Sequence, residues 1–369
     1  MTYNDSPSGI YSGQVIDVVN FLETDLQTDV KLVALISVRG FFINRNKILA
    51  EIPKAIVLPM FPGVRRWRLN FIILSVLVFF YKPKAIIGRS VLATQLALKL
   101  KNRNKIQKVV YDGRGAIAAE WKEYNVINDS KMLSEINHLE KEAVLLADFR
   151  IAVSHKLISY WENQYGYSSE KHVVIPCTLN EVFKNVIINQ QTIDSAQALF
   201  GFQETDIVYV YSGSVAGWQS FELLKSFLVK QLTLSKCHKV LFLSENDKHI
   251  DELKVQFPTQ VFNKKVSQFE VPRYLLAGNF GILIREKSVT NQVASPVKFA
   301  EYLCCGLAVI ISEDLGDYSA FVQDNNCGAL DHEFKNLPVD KHLLHNIALD
   351  NFTKQKHRQS YLKLISQLT

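Results

Sequence analysis

The chain is poor in cysteine and shows no targeting segment. Its five cysteines are odd in number and include no Cys-x-x-Cys pair, which argues against a disulfide framework or a zinc site. The polar start, residues 1–7, lacks the basic and then apolar pattern of a secretory signal. We therefore expect a protein of the reducing cytoplasm.

Long hydrophobic runs are also absent. The most apolar stretch, residues 71–81, is shorter than the roughly 20 residues that a membrane-spanning helix needs, and it predicts a core helix. The preceding Arg65-Arg66-Trp67-Arg68 is a cationic cluster with one tryptophan. It is either the solvated start of a helix or a peripheral contact with anionic lipid headgroups at the cytoplasmic face of the inner membrane.

Several catalytic patterns are missing as well. No P-loop, His-Glu-x-x-His pair or Gly-x-Ser-x-Gly elbow occurs, which argues against P-loop NTPases, zinc proteases of that class and α/β-hydrolases. The nine histidines show no ligand spacing, and no metal site is predicted.

What is present is the composition of an ordinary globular protein. The 369 residues are 48% hydrophobic and 21% charged, and this length predicts two domains, each with its own core. The net charge of +6 suits anionic ligands or an anionic membrane surface better than a dedicated nucleic-acid surface.

Short β-branched runs alternate with helical patterns along most of the chain, which is typical of parallel α/β layers. We predict a first domain over 1–177, a second over 178–345 and a C-terminal helix, 346–369, that packs back on the first. Only three residues precede the turn at 4–9, so either the first strand is vestigial or the start codon lies upstream. Predicted strands cover 31–37, 55–58, 85–87, 108–111, 150–153, 172–175, 207–211, 240–243, 260–262, 280–284 and 308–312.

The most informative segment runs from Arg285 to Gly306. A predicted strand ends at Arg285, and Ser295-Pro296 is then predicted to be the N-cap and first residue of a helix. The N-terminus of that helix, with Lys298 and Arg285, forms a candidate seat for a diphosphate. Glu301, one turn further, is placed to accept hydrogen bonds from ribose hydroxyls, although Lys298 and Glu301 also suit a plain surface ion pair.

A second turn that favours anions follows the strand at 207–211. In the run Tyr211-Ser212-Gly213-Ser214-Val215-Ala216-Gly217-Trp218 the glycines let the backbone approach a ligand at the carboxyl edge of the sheet. Gly213, Ser214 and Gly217 are therefore candidate nucleotide-binding residues. Because this turn and the helix start at 295–298 are expected at the same edge of one sheet, we expect both to bind a single nucleotide.

In the first domain, Asp112-Gly113-Arg114-Gly115 follows a predicted strand. With Ala118 it matches Gly-x-Gly-x-x-Ala, but no acidic residue ends a following strand about 20 residues on, which argues against a dinucleotide site. Asp112 and Arg114 are candidate catalytic residues that contact an acceptor hydroxyl or donor phosphates. A structural Asp–Arg pair is an equal alternative.

Together these motifs resemble the retaining glycosyltransferases of family four. The resemblance is carried by Gly316-Asp317 and by Ser295-Pro296-x-Lys298-Phe299-x-Glu301-Tyr302-Leu303-x-Cys305-Gly306-x-x-Val309-Ile310. Weaker similarity covers most of the chain, in Ser212-Gly213-Ser214, Asp112-x-Arg114-Gly115 with Glu120, and Val174-Ile175-Pro176. The absence of any Asp-x-Asp pair argues against the other main glycosyltransferase fold, which binds its diphosphate through manganese.

The resemblance implies an α/β protein of GT-B architecture, with two Rossmann-like domains facing across a cleft. It implies a nucleotide-sugar donor in the second domain and a cell-envelope glycan or lipid-linked acceptor in the first, with no further cofactor, no metal and no nucleic acid. Arg285 and Lys298 would hold the diphosphate, Glu301 the ribose, and Gly213 with Ser214 the phosphate or sugar edge.

One position departs from the family pattern. The family often has a first glutamate eight residues before Glu301, and this sequence has Val293 there, so the backbone of 291–294 is the expected substitute. Two alternatives stay open: a nucleotide-sugar epimerase of the same fold, and a degenerate nucleotide-sugar-binding or scaffold protein.

Overall fold

The computed structural model describes residues 1–127, 129–213, 220–335 and 337–368. The chain divides into two compact units. The first unit comprises Met1–Asn180, Val293–Ser295 and Lys354–Thr369, and the second comprises Glu181–Gln292 and Pro296–Thr353.

Every strand pairing in the described ranges is parallel, as the predicted alternation of strands and helices requires. The strands are β1 (Thr2–Tyr3), β2 (Val33–Ser37), β3 (Ile56–Met60), β4 (Ala85–Arg89), β5 (Lys108–Gly113), β6 (Phe149–Ala152), β7 (His172–Val174), β8 (Ile207–Ser212), β9 (His238–Leu243), β10 (Val261–Asn263), β11 (Phe280–Leu283), β12 (Ala308–Ile311) and β13 (Gly328–Leu330).

Helices connect these strands. They are α1 (Gly9–Tyr11), α2 (Asp17–Asn20), α3 (Phe41–Glu51), α4 (Phe71–Tyr81), α5 (Ser90–Lys101), α6 (Ile117–Glu123), α7 (Ser130–Leu146), α8 (His155–Tyr165), α9 (Gln190–Ala198), α10 (Phe221–Leu234), α11 (Lys248–Gln256), α12 (Val271–Leu275), α13 (Val289–Gln292), α14 (Val297–Cys304), α15 (Tyr318–Asp324), α16 (Lys341–Phe352) and α17 (Arg358–Ser366). The π-helical segments Ser12–Ile16 and Phe21–Asp25 extend α1 and α2, and 3₁₀ helices cover Val64–Asn70 and Glu181–Phe183.

The start of the chain lies in the middle of the first unit's strands. β1 pairs with β2, and on its other side the Met1 nitrogen donates to the Ile87 carbonyl at 2.7 Å. The Met1 carbonyl in turn accepts from the Arg89 amide at 2.9 Å. The sheet β1-β2-β3 is thereby joined to the sheet β4-β5-β6-β7. The first strand is therefore only two residues long but lies between β2 and β4.

The second unit holds one six-stranded sheet in the order β10-β9-β8-β11-β12-β13. The chain leaves β8 in one direction and returns to β11 on its other side, so the strand order reverses between these two neighbours. In open parallel sheets, ligands bind at the carboxyl edge beside such a reversal. Gly213 and Arg285 follow β8 and β11 and lie at this edge. The predicted α/β class with two Rossmann-like units is confirmed.

Two helical predictions need correction. The predicted C-terminal helix over 346–369 is instead the second half of α16, in the second unit, and α17, in the first, where Tyr361 and Leu364 pack with Phe21 and Phe149. α4 spans the predicted residues but is only half a core helix, because one of its faces is exposed. Among the described helices, none combines the length and the apolarity needed to cross a bilayer.

Candidate functional site

The candidate site of the second unit is built on the contact between α14 and the sheet. Tyr302 of α14 is fully buried, and its ring covers Gly281 of β11 so closely that a Cβ there would collide with it. The Tyr302 hydroxyl accepts from the Ser212 amide at 2.9 Å. Because residues four apart share one helix face, this anchoring also points Lys298 toward the end of β8. Tyr302 is therefore a core residue that orients the helix.

Lys298 lies over the turn that follows β8. Its side chain occupies the space that a Cβ on Gly213 would need, and Gly213 has a φ of 138°. The ammonium is 4.6 Å from the centre of the Tyr211 ring. Burial, and secondly the charge of Arg285, lower the pKa of Lys298 to about 7, while Glu301 opposes the shift. A bound anion would favour the charged form of this lysine.

Arg285 is held in place from two sides. Its amide donates to the Ser312 hydroxyl at 2.9 Å, and its Nη1 donates to Asn291 Oδ1 at 3.3 Å. Asn291 is 1% exposed, and its side-chain amide donates to the Glu286 carbonyl at 3.0 Å. No role for the Asn291 side chain is predicted from the sequence. The sequence signal that could have indicated such a role is the position of this asparagine, six residues after the predicted strand that ends at Arg285.

Glu301 lies near Lys298 and is half-buried, as Lys298 is. Burial raises the pKa of Glu301 to about 7, and the charge of Lys298 opposes that shift. The alternative interpretation was a surface ion pair of Lys298 and Glu301, and the partial burial of both residues does not favour it. The second unit thus brings together Gly213, Arg285, Lys298 and Glu301.

The predicted cap of α14 is wrong. The N-cap residue is Pro296, whose side chain makes no capping hydrogen bond, and Lys298 is the second helical residue. The Ser295 hydroxyl instead accepts from the Cys177 amide at 2.9 Å, within the first unit. The neighbouring Val293 is 3% exposed, and its carbonyl accepts from the Ser154 hydroxyl at 2.7 Å. The predicted residues Ser214 and Gly217, and Trp218 beside them, lie outside the described residues.

Asp112 and Arg114 meet each other at the carboxyl edge of the first unit's sheet. Arg114 contacts both carboxylate oxygens of Asp112, at 2.9 and 3.0 Å, and Arg89 lies 3.6 Å from the same carboxylate. The side chains are 8% to 14% exposed. Burial lowers the pKa of Arg89. Burial is also the largest single effect on Arg114, but the charge of Asp112, the charges of Cys177 and Tyr361 and the hydrogen bond to Asp112 together exceed it and raise the pKa of Arg114. This geometry suits the structural pair, and the contact with an acceptor stays a prediction.

The turn after Asp112 leads into α6, whose first backbone amides are already hydrogen-bonded to a side chain of the protein. Glu140 of α7 is fully buried and accepts from the amides of Ile117 and Ala118 at 3.2 and 2.8 Å. The Tyr165 hydroxyl donates to the same carboxylate at 3.1 Å. A pyrophosphate would need those amides, so the arrangement agrees with rejecting the dinucleotide pattern. In the described part of the chain, no group of three or more His, Cys, Asp or Glu residues is placed to hold a metal ion.

No protein-family model matches the sequence, and a comparison with curated proteins found no match. A glycosyltransferase from Rickettsia africae matches the fold with a TM-score of 0.68 at 14% identity, over 100% of this chain and 98% of that chain. Anabaena HepE, in complex with UDP and glucose, matches with a TM-score of 0.68 at 14% identity, over 99% and 98%. A Listeria monocytogenes protein described as a UDP-N-acetylglucosamine 2-epimerase matches with a TM-score of 0.54 at 9% identity, over 98% and 89%.

These similarities define the class to which the architecture belongs. The chain has the GT-B fold, and the structures that it matches include proteins described as glycosyltransferases and one determined in complex with UDP and glucose. At identities of 9% to 14%, the likeness shows the fold and leaves the reaction to be argued from the residues.

Proposed function

We propose that the protein is a glycosyltransferase that moves a sugar from a nucleotide-sugar donor to a cell-envelope glycan or a lipid-linked acceptor. The observation that carries this proposal is the convergence of Lys298, Arg285 and the N-terminus of α14 on the Gly213 end of β8. Two cationic side chains and a helix N-terminus favour a diphosphate at the sheet edge where this class of fold binds ligands.

In the proposed reaction the bond between the anomeric carbon and the diphosphate oxygen breaks. Negative charge then develops on the leaving oxygen, and Arg285 and Lys298 stabilise it. Because these fixed charges can do this unaided, we propose that no metal ion is needed. The acceptor hydroxyl attacks from the face that the diphosphate leaves, a departing phosphate oxygen takes its proton, and the anomeric configuration is retained.

The remaining predicted residues have supporting roles in this proposal. Glu301 accepts hydrogen bonds from the ribose, and Gly213 with Ser214 and Gly217 contacts the phosphate or sugar edge. Asp112 and Arg114 act on the acceptor side. A lipid-linked acceptor would bring the protein to the cytoplasmic face of the inner membrane, where we propose a peripheral contact.

The test is to incubate the protein with UDP-, GDP- and dTDP-sugars and acceptor extracts and to measure release of nucleoside diphosphate. We expect release from one donor class, unchanged by a chelator, and a product with the donor's anomeric configuration by nuclear magnetic resonance. Release that a chelator stops and manganese restores would contradict metal independence. Nucleotide binding with no release in any extract would favour the scaffold alternative.

A nucleotide-sugar epimerase is the second candidate, because a protein described as an epimerase shares the fold. That reaction changes the sugar of the donor itself and needs no acceptor. Incubation with donor alone separates the two. A new donor stereoisomer would favour the epimerase, and an unchanged donor that is consumed only after acceptor is added would favour the transferase.

A further inference from the structure

Positive charge is concentrated in one part of the first unit. Residues 52–111 contain twelve lysines and arginines and no aspartate or glutamate. The rest of the chain has thirty basic and thirty-six acidic residues, so the whole positive excess of the protein lies in this segment. The segment includes α4 and α5. A charge imbalance of this size marks a surface for an anionic partner.

α4 is apolar on both of its faces. Its inner face buries Phe71, Leu74 and Val78. The outer face would be polar in an ordinary surface helix, but here its stripe at helical spacing consists of Ile72, Val76, Phe79 and Phe80, which are 66%, 51%, 70% and 73% exposed. A contiguous exposed apolar stripe indicates an interaction surface. At about 16 Å, α4 is too short to span a bilayer, although it is long enough to lie in one leaflet's interface.

A basic groove opens at the C-terminal end of α4. The groove has a volume of about 720 Å³, and Phe79 of the apolar stripe forms part of its wall. Lys82, Lys84 and Lys105 line it and are exposed, and Lys101 also lines it while pairing with Asp148 at 2.5 Å. Ammonium groups beside an apolar wall match a lipid phosphate with its attached acyl chains.

The N-terminal end of α4 is basic as well. Arg65 and Arg66 are exposed, and Arg65 and Arg68 also lie near carboxylates, at 3.3 Å from Asp129 and 3.0 Å from Glu135. Trp67 is buried at 4% exposure, so only the arginines of this cluster are available to a headgroup. Cations at both ends of an exposed apolar stripe are the arrangement of a helix that lies in a membrane interface.

We propose that α4 and its basic groove bind the surface of an anionic bilayer, with the stripe among the acyl chains and the lysines on lipid phosphates. The stripe decides between the possible anionic partners, because a nucleic acid offers no apolar phase to four exposed aliphatic and aromatic side chains. The absence of carboxylates over residues 52–111 agrees with a flat anionic partner. The inference rests on the membrane contact of the proposed function and does not depend on sugar transfer.

The test is flotation of the full-length protein with vesicles of phosphatidylcholine alone or mixed with an equal part of phosphatidylglycerol. We expect binding to the mixed vesicles only, weakened by salt. The triple variant Lys82→Gln, Lys84→Gln, Lys105→Gln should bind them about a hundredfold more weakly, at about one factor of five per lysine. The variant Ile72→Ser, Phe79→Ser, Phe80→Ser should lose at least about tenfold, because its apolar contacts with the acyl region are removed.

Matched controls lie in the second unit. Lys230→Gln, Lys236→Gln, Lys248→Gln removes three exposed lysines there, and Leu234→Ser, Val255→Ser, Phe269→Ser removes three exposed apolar side chains. Both controls should bind vesicles as the original protein does. Equal binding to neutral vesicles, no binding to mixed vesicles, or equal losses in the controls would overturn the proposal. The proposal would also be overturned if the apolar variant kept its full binding to mixed vesicles and a single-stranded oligonucleotide displaced the protein from them. That result would indicate a nucleic-acid surface.

Nucleoside diphosphate binding is measured on the same preparations by titration. All four variants should keep it, since none changes a residue of the second unit's candidate site. A variant that loses vesicle binding but still binds nucleotide is impaired only at the membrane surface. The two measurements therefore test the membrane proposal and the proposed sugar transfer separately. A circular dichroism spectrum and melting curve like those of the original protein show that the α4 variants are folded.

Discussion

Lys298 lies in the space that a side chain at residue 213 would occupy. Gly213 supplies that space at the end of β8 and adopts a φ of 138°, which residues with a Cβ rarely adopt. The ammonium is thereby placed 4.6 Å from the centre of the Tyr211 ring. The position of the cation in the candidate site thus depends on a glycine that is far away in the sequence.

Gly213→Ala should weaken nucleoside diphosphate binding while the protein stays folded. The new Cβ would collide with Lys298 and displace it, and the backbone conformation would cost about 1 to 3 kcal/mol of stability. Isothermal titration and a melting curve measure the two effects. Gly115→Ala is the matched control, because no heavy atom lies within 4 Å of a Cβ built there. Unchanged nucleotide affinity in Gly213→Ala would separate Lys298 from the binding site.

Lys298→Ala and Arg285→Ala should each lower turnover by at least about a hundredfold and leave the fold intact. Each removes a positive charge from the place where the leaving diphosphate would develop its charge. The measurement is nucleoside diphosphate release at saturating donor, with a melting curve to show that the variant is folded. A folded variant with undiminished turnover would remove that residue from the proposed site.

Nucleoside diphosphate binding should weaken as the pH rises through neutrality. Burial, and secondly the charge of Arg285, lower the pKa of Lys298 to about 7, Glu301 opposes the shift, and a bound anion raises that pKa again. Affinity is therefore greatest below pH 7 and falls by at most about tenfold per pH unit until the pKa of the complex is reached.

Lys298→Arg provides the control for this pH dependence, because a guanidinium keeps its charge over the whole range. Titrations across the range should show a flatter profile for Lys298→Arg than for the original protein. The ionisation of the nucleotide itself is common to both proteins and cancels in the comparison. Identical slopes would mean that Lys298 does not titrate on binding.

Glu301→Ala should weaken nucleoside diphosphate binding by about tenfold, through loss of charge-assisted hydrogen bonds to the ribose. The same titration with inorganic pyrophosphate provides the comparison, since pyrophosphate has no ribose and should bind both proteins similarly. If the variant loses pyrophosphate and nucleotide equally, Glu301 acts on the charge of Lys298 rather than on the sugar.

Asp112→Asn should destabilise the first unit by about 3 kcal/mol, because it leaves the largely buried Arg114 without its counter-charge and leaves Arg89 with Asp5 alone. Chemical unfolding measures the loss. Asp5→Asn is the milder comparison, because Asp5 is 38% exposed and its salt bridge to Arg89 is 3.6 Å long. A stable Asp112→Asn protein that has lost turnover would favour the predicted acceptor contact over the structural pair.

The strands and helices near the candidate site were largely predictable because their patterns are local. The predicted strands at 207–211 and 280–284 match β8 and β11, and the helix predicted to begin at Pro296 corresponds to α14. The cap of α14 was not predictable, because a Ser-Pro pair is compatible with two registers and the Ser295 hydroxyl contacts a distant amide at Cys177. The role of Asn291 was not predictable either, because its hydrogen bond with Arg285 is seen only in the folded structure.

By itself the sequence determined the α/β alternation, its division into two units and the residue types that suit a diphosphate at 285–301. These properties depend on hydrophobic period and on neighbours within a few residues, which a linear chain already specifies. Only the tertiary structure decided that Lys298 meets Gly213, that Asp112 is enclosed by two arginines and that one face of α4 stays uncovered. Contacts and burial of this kind arise between segments that the sheet order brings together, and the free energy of a charge or an apolar face depends on that surrounding.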